Sequence, residues 1–204
     1  MPVPIVCPMS DADTADIGRM AVQAVDLMRG AVGQIPTSSW DAPSNLAGWS
    51  VRDLVAHATG SATKIVMLVE GGELWDGPSK PSDWTYDDPE AQLGTLGVRL
   101  RDALSTADLD TVRASPEGEV PVRRALMYPV SDLALHSWDV HRSLGARIDV
   151  PGDLLALCDS LVTSVPEAML RRPGGFGPAQ PVSSESSPTD RLMAFLGRSV
   201  ADES

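Results

Sequence analysis

Four long stretches of this chain repeat apolar side chains at three- and four-residue spacing, and that period commits them to helices that must bury one face against one another. The first runs from Asp16 through Ile17, Met20, Ala21, Ala24, Val25, Leu27, Met28, Ala31 and Val32. Val51, Leu54, Val55, Ala58, Ile65, Val66, Leu68 and Val69 make the second, and Leu93, Leu96, Val98, Leu100, Ala103 and Leu104 the third. The fourth extends from Val122 through Leu126, Met127, Val130, Leu133, Leu135, Val140 and Leu144 to Gly145, with Pro129 as an expected kink. No repeat and no period-two run competes with them, so the chain reads as all-α, a mainly helical bundle.

The punctuation between the periodic stretches supports the same reading. Ser50 with Asp53 three residues on has the form of an N-cap with an acidic capping-box partner, and Gly71-Gly72 supplies C-cap chemistry for the second helix. The segment from Trp75 to Pro89, rich in Pro and Asp, reads as a surface crossover and a candidate lid. Ser115-Pro116-Glu117-Gly118 is a further break, and Pro121 suits an early position of the fourth helix. Pro151 opens a fifth helix, Leu154 to Leu170, which Pro173-Gly174-Gly175 stops. An extended stretch, Phe176 to Val182, then leads to a helix start at Ser187-Pro188-Thr189-Asp190 and a short docking helix carrying Leu192, Met193, Phe195 and Leu196. At 204 residues the expectation is one domain, with a helical bundle over about 11–170 and a tail over 171–204.

Charge and composition exclude several classes. A formal charge of -12 repels phosphate backbones and anionic lipid, so no nucleic-acid or membrane partner is expected. Apolar runs such as Ile65 to Val69 fall far short of the roughly 20 residues needed to cross a bilayer, and Met1 to Met9 lacks a positive leader region. We therefore expect a cytoplasmic protein. Cys7 and Cys158 are too few for a disulfide framework and read as small hydrophobes or idle thiols. Trp40, Trp49, Trp75, Trp84 and Trp138 read as core and interface, and Arg123-Arg124 as a solvated pair, with an anionic substrate as its functional alternative. Signatures of zincins, serine hydrolases and nucleotide-binding loops are absent.

The candidate chemistry lies on the second and fourth helices. In Ser131-Asp132-Leu133-Ala134-Leu135-His136-Ser137-Trp138-Asp139 the four-residue step sets Asp132 and His136 about 40° apart on one face, and Asp139 within about 20° of Asp132. His57 stands mid-helix among Leu54, Ala58 and Ser61 on the inward face. Three such ligands leave open positions on one divalent ion, with zinc first and nickel or iron as alternatives. On this spacing alone the signal is weak, and a hydrogen-bonded core histidine with an intrahelical Asp–His contact is the commoner account. Asp139 is a candidate to orient a ligand or accept a proton. His141, about 140° round the wheel from His136, points elsewhere.

Gly48-Trp49-Ser50-Val51-Arg52-Asp53-Leu54-Val55-Ala56-His57 resembles the second-helix signature of the DinB-like, mycothiol-dependent maleylpyruvate isomerase superfamily. Asp132 through Asp139 resembles its acidic-xxx-His helix. Phe176-Gly177-Pro178 and Asp190 through Arg198 resemble the tail of its actinobacterial metal-binding branch. The resemblance implies a four-helix bundle in which His57, Asp132 and His136 hold the metal, with mycothiol as the thiol cosubstrate of a transferase or isomerase. Two departures stand out: Asp132 replaces the isomerase's Glu, and a short tail stands where that enzyme has a separate C-terminal domain. The leading expectation is attack by a metal-activated low-molecular-weight thiol on a small electrophile. Its rivals are thiol-independent chemistry in the same cavity, as in natural-product tailoring, and a non-catalytic metal- or ligand-binding module closed by a fourth ligand such as His141. A homodimer is an option for bundles of this kind.

Overall fold

A computed structural model describes residues 16–72, 80–115, 118–171 and 175–200. Among the described residues the chain forms α1 (Ile17–Val32), α2 (Val51–Val69), α3 (Pro89–Leu104), β1 (Val112–Ser115), β2 (Gly118–Pro121), α4 (Val122–Ser143), α5 (Gly152–Ser164), α6 (Glu167–Leu170) and α7 (Pro188–Phe195). The four long periodic stretches are α1 to α4, and each turns its apolar stripe inward. Met28, Leu54, Ile65, Leu93, Leu96, Leu100, Leu126 and Leu133 are all sealed from solvent in one continuous core.

The helices pack in the cyclic order α1, α3, α2, α4, and α5 lies against α4. Ion pairs fix their senses. Arg29 meets Glu90 and Arg101 meets Asp26, so α1 and α3 run antiparallel. Arg99 meets Glu70 near the C-terminal ends of α2 and α3, which are parallel neighbours. Parallel neighbours require the chain to travel back the length of a helix, about 24 Å for sixteen residues. That return explains the long connection between α2 and α3. Residues 73–79, including the first part of the candidate lid, lie outside the described residues. The remainder contains a 3-10 turn at Pro81–Asp83 that sits against α2.

Local chemistry sets the start of α2. The Ser50 side chain accepts from the Asp53 backbone N–H at 3.1 Å, and the Asp53 carboxylate accepts from the Ser50 backbone at 3.0 Å. This reciprocal cap, typically worth about 1 kcal/mol, fixes the first turn two turns below His57.

Three expectations need correction. A two-stranded antiparallel hairpin, β1 with β2, precedes α4, in register Val112 with Pro121 and Ser115 with Gly118. Of the expected break, Ser115 and Gly118 pair as the last rung of the hairpin and residues 116–117 lie outside the described residues, while Pro121 ends β2 as the N-cap of α4, an edge position where a missing N–H costs nothing. The expected fifth helix is two: Pro166 restricts Val165 to extended backbone (φ -101, ψ 131), which separates α5 from α6. In α7, Leu192, Met193 and Leu196 dock as expected, but Phe195 stays exposed, with the Arg171 guanidinium over its ring. Pro129 is accommodated inside a continuous α4.

Candidate metal centre

The Asp132 carboxylate stands between two imidazoles. Its Oδ2 lies 3.3 Å from His57 Nε2, and its Oδ1 lies 3.3 Å from His136 Nε2. One ligand atom from each of the three residues lies within 4.8 Å of the others. Four ligands arranged tetrahedrally at about 2.0–2.1 Å from an ion are about 3.3–3.4 Å apart; the two Asp–His spacings use different oxygens of the carboxylate and are also those of plain Asp–His contacts, so the mark of the cluster is the convergence of three donors within 4.8 Å. Imidazole nitrogen with carboxylate oxygen is the donor set of a divalent transition-metal site.

The sequence places these groups through helix geometry. Asp132 and His136 occupy successive turns of α4, and α2 runs antiparallel to α4, so that Ser61 of α2 also reaches Asp132 and donates its hydroxyl to Oδ2 at 2.6 Å. The His57 and His136 rings meet edge to face with centroids 4.9 Å apart, and Trp49 lies against His57 at 4.9 Å. Trp49 therefore forms an apolar wall of the site. The Asp132 side chain remains 37% exposed, whereas that of His136 is only 10% exposed, so solvent reaches the cluster from the aspartate side.

Behind His136 the surroundings are closed. The His136 ring is 2.9 Å through Nδ1 from Asp139 Oδ2, a contact in which Nδ1–H donates to the carboxylate while Nε2 faces Asp132. Asp139 has no exposed side-chain surface. It also accepts from Arg198 Nε and a terminal guanidinium nitrogen at 2.8 and 2.9 Å, and from Asn45 Nδ2 at 2.9 Å. Ser143 donates to the Asp139 carbonyl and accepts from the Asn45 backbone N–H, tying the loop before α2 to the end of α4.

Electrostatics follow this layout. Burial alone would raise the Asp132 carboxyl, but the His136 charge and hydrogen bonds from both histidines hold it well below the usual carboxylate range. Burial would likewise lower His136, and the flanking Asp132 and Asp139 carboxylates outweigh it, raising the imidazole to about 9. For Asp139, the Arg198 charge and hydrogen bonds from His136 and Arg198 overcome burial and keep the carboxylate ionised.

The structure thus brings His57, Asp132 and His136 together and sets Asp139 directly behind His136. His141 is buried elsewhere on α4 and is not part of the cluster. Cys158 is buried, its thiol pushed up to about 12 by desolvation, in keeping with an idle thiol. Arg123 pairs with Asp110 at 2.5 Å. Arg198 and Asn45 were not singled out as functional by the sequence reading. The available signal was an arginine set between the apolar residues Leu196 and Val200, where a cation is stable only if a counter-charge meets it.

Among the described residues, no helix is long and apolar enough to cross a membrane. Crystal structures of the mycothiol-dependent maleylpyruvate isomerase and of a histidine-to-alanine mutant of it superpose on this chain with a TM-score of 0.56 at 16% identity. The match covers 77% of this chain and 70% of theirs, a likeness of fold. Two uncharacterized proteins of Mycobacterium tuberculosis, from strains CDC 1551 / Oshkosh and ATCC 25618 / H37Rv, are each 22% identical over 179 residues, 87% of this chain and 95% of theirs. Residues 21–141, which include His57, Asp132, His136 and Asp139, match the sequence model of the mycothiol maleylpyruvate isomerase N-terminal domain, and the chain belongs to that family.

Proposed function

We propose that this chain is an enzyme of the mycothiol-linked isomerase or transferase type, in which His57, Asp132 and His136 hold one divalent metal ion and a small electrophile is the substrate. The observation that carries the reading is the convergence of His57, Asp132 and His136, one ligand atom from each within 4.8 Å of the others. Zinc suits this donor set first, and nickel or iron are accommodated by the same ligands. When bound, such an ion supplies Lewis acidity that lowers the pKa of a thiol or polarises a carbonyl.

The remaining work falls to the protein. Ser61 holds one Asp132 oxygen in place, and Asp139 holds the His136 ring so that Nε2 faces the cluster. Of the two roles considered for Asp139, its burial behind His136 favours orientation over proton acceptance, since its oxygens are occupied by Arg198, Asn45 and His136. Trp49 beside His57 offers an apolar wall against which a substrate can exclude water. Family membership and the fold of the isomerase support a thiol such as mycothiol as cosubstrate. A cytoplasmic, reducing setting is part of the same proposal.

Elemental analysis of untagged, chelator-free protein tests the reading, with His57→Ala and His136→Ala measured alongside. About one metal per chain in the wild type, lost in both variants, is the expected result. Maleylpyruvate and other small electrophiles are then assayed with and without mycothiol. Rate enhancement that needs both metal and thiol is expected. No metal after reconstitution with zinc, nickel or iron would overturn the metal centre, and turnover indifferent to thiol would overturn the thiol role.

A further inference from the structure

The strongest feature outside the ligand cluster is the buried cation behind it. The Arg198 side chain is only 7% exposed, and it stacks over the Phe176 ring at 5.5 Å. Its two bonds to Asp139 are parallel and of near-equal length, the fork geometry that fixes a carboxylate in plane as well as in charge. Each Asp139 oxygen is thereby bound once by Arg198. The remaining capacity of Oδ2 goes to His136, and that of Oδ1 to Asn45. A carboxylate held at both oxygens cannot rotate, and an imidazole bonded to it through Nδ1 has its ring plane set as well. A buried ion pair is a weak device for stability alone, since an apolar replacement often does as well.

Arg198 reaches this position through the turn that ends α7. Gly197 takes the left-handed conformation (φ 84), Arg198 N–H bonds the Met193 carbonyl and Gly197 N–H bonds the Ala194 carbonyl, which reverses the chain toward α4. Gly197 also lies flat on Gly177, so close that a Cβ there would fall 2.8 Å from the Gly177 backbone. Arg171 ties the same two segments together by donating to the Gly177 and Phe195 carbonyls.

We propose that Arg198 is a positioning residue for the metal centre: reaching in from the tail, it locks Asp139 and through it the His136 ring, and this fork sets how tightly the site holds its ion. This inference rests on the metal-binding reading above and adds to it a control element lying outside residues 21–141 that match the family.

The test compares wild type with Arg198→Met, Arg198→Lys and Arg171→Met in the full chain. Zinc affinity is measured by competition against a chromophoric chelator, and the absorption of the cobalt-substituted protein reports ligand geometry. Arg198→Met is expected to weaken zinc binding by about 10–100-fold, the usual cost of losing an outer partner of a ligating histidine. Arg198→Lys keeps the charge but loses the fork and is expected to fall between wild type and Arg198→Met. Arg171→Met loosens the tail without touching Asp139 and is expected to stay within about threefold of wild type, well short of that outer-partner loss. Unchanged affinity in Arg198→Met overturns the proposal, as does an equal loss in Arg171→Met. If Arg198→Met does not fold, unchanged affinity in Arg198→Lys overturns it. A second readout needs no metal: the His136 Nδ1–H signal in proton–nitrogen spectra of the metal-free protein is expected to be protected from exchange in wild type and exposed in the Arg198 variants. Protection retained in those variants overturns the relay even where the wild type binds no metal, which separates its failure from that of the metal centre.

Discussion

Asp132 and Asp139 stand two turns apart on α4 and both reach His136, one at each ring nitrogen, yet they occupy opposite environments. Asp139 is sealed and meets a cation, an amide and an imidazole. Asp132 keeps more than a third of its side chain open and meets two histidines and a hydroxyl. The same residue type on the same helix face therefore serves two ends. On the sealed side every lone pair is committed and the group organises its neighbours. On the open side the donors converge with room between them, as a site for a ligand requires.

The contrast is sharpened first by Asp139→Asn, which keeps the shape but leaves Arg198 buried without its counter-charge. A loss of about 3–5 kcal/mol is expected from urea unfolding at neutral pH. The folded pKa of Asp139 is depressed, so its contribution is complete above the unfolded value near 4 and lost as pH falls below it. The gap between wild type and Asp139→Asn should therefore be constant from about pH 5 to neutrality and narrow in acid. A gap that widens in acid would contradict the assignment. Gly197→Ala comes next: the left-handed φ and the blocked approach to Gly177 predict a cost of about 1–3 kcal/mol, read as a lower thermal midpoint. Asp132→Asn is expected to change stability least, by about 1 kcal/mol or less, while abolishing stoichiometric metal uptake. If it destabilised the fold as much as Asp139→Asn, the division between an organising and a receiving carboxylate would collapse.

The bundle was legible because its signals are local. Ser50 and Asp53 announce the start of α2, and the apolar periods of α1 to α4 survive into the core with few exceptions, such as the exposed Val98. The meeting of His57, Asp132 and His136 was weakly signalled by one helical step and one inward-facing histidine, and it was the resemblance of residues 48–57 and 132–139 to the family's motifs that set it above a core-histidine reading. The hairpin was not, because four-residue strands such as Val112–Ser115 carry too little alternation to register. Pro166 carried a breaker signal that was outweighed by the apolar run around it. Arg198 was hidden for another reason. Its meaning depends on a carboxylate 59 residues earlier, and no local pattern encodes a partner at that distance.

The chain order of these groups has a consequence for biogenesis. Synthesis proceeds from the N-terminus, so α2 and α4, with all three donors, are made before Arg198 exists. Between those moments the nascent chain carries an Asp139 that lacks its cation and a His136 held by Asp139 without the guanidinium fork. On the proposal above, an ion captured before the last turn of α7 docks on α4 would be held by a less organised set of ligands than the finished protein presents.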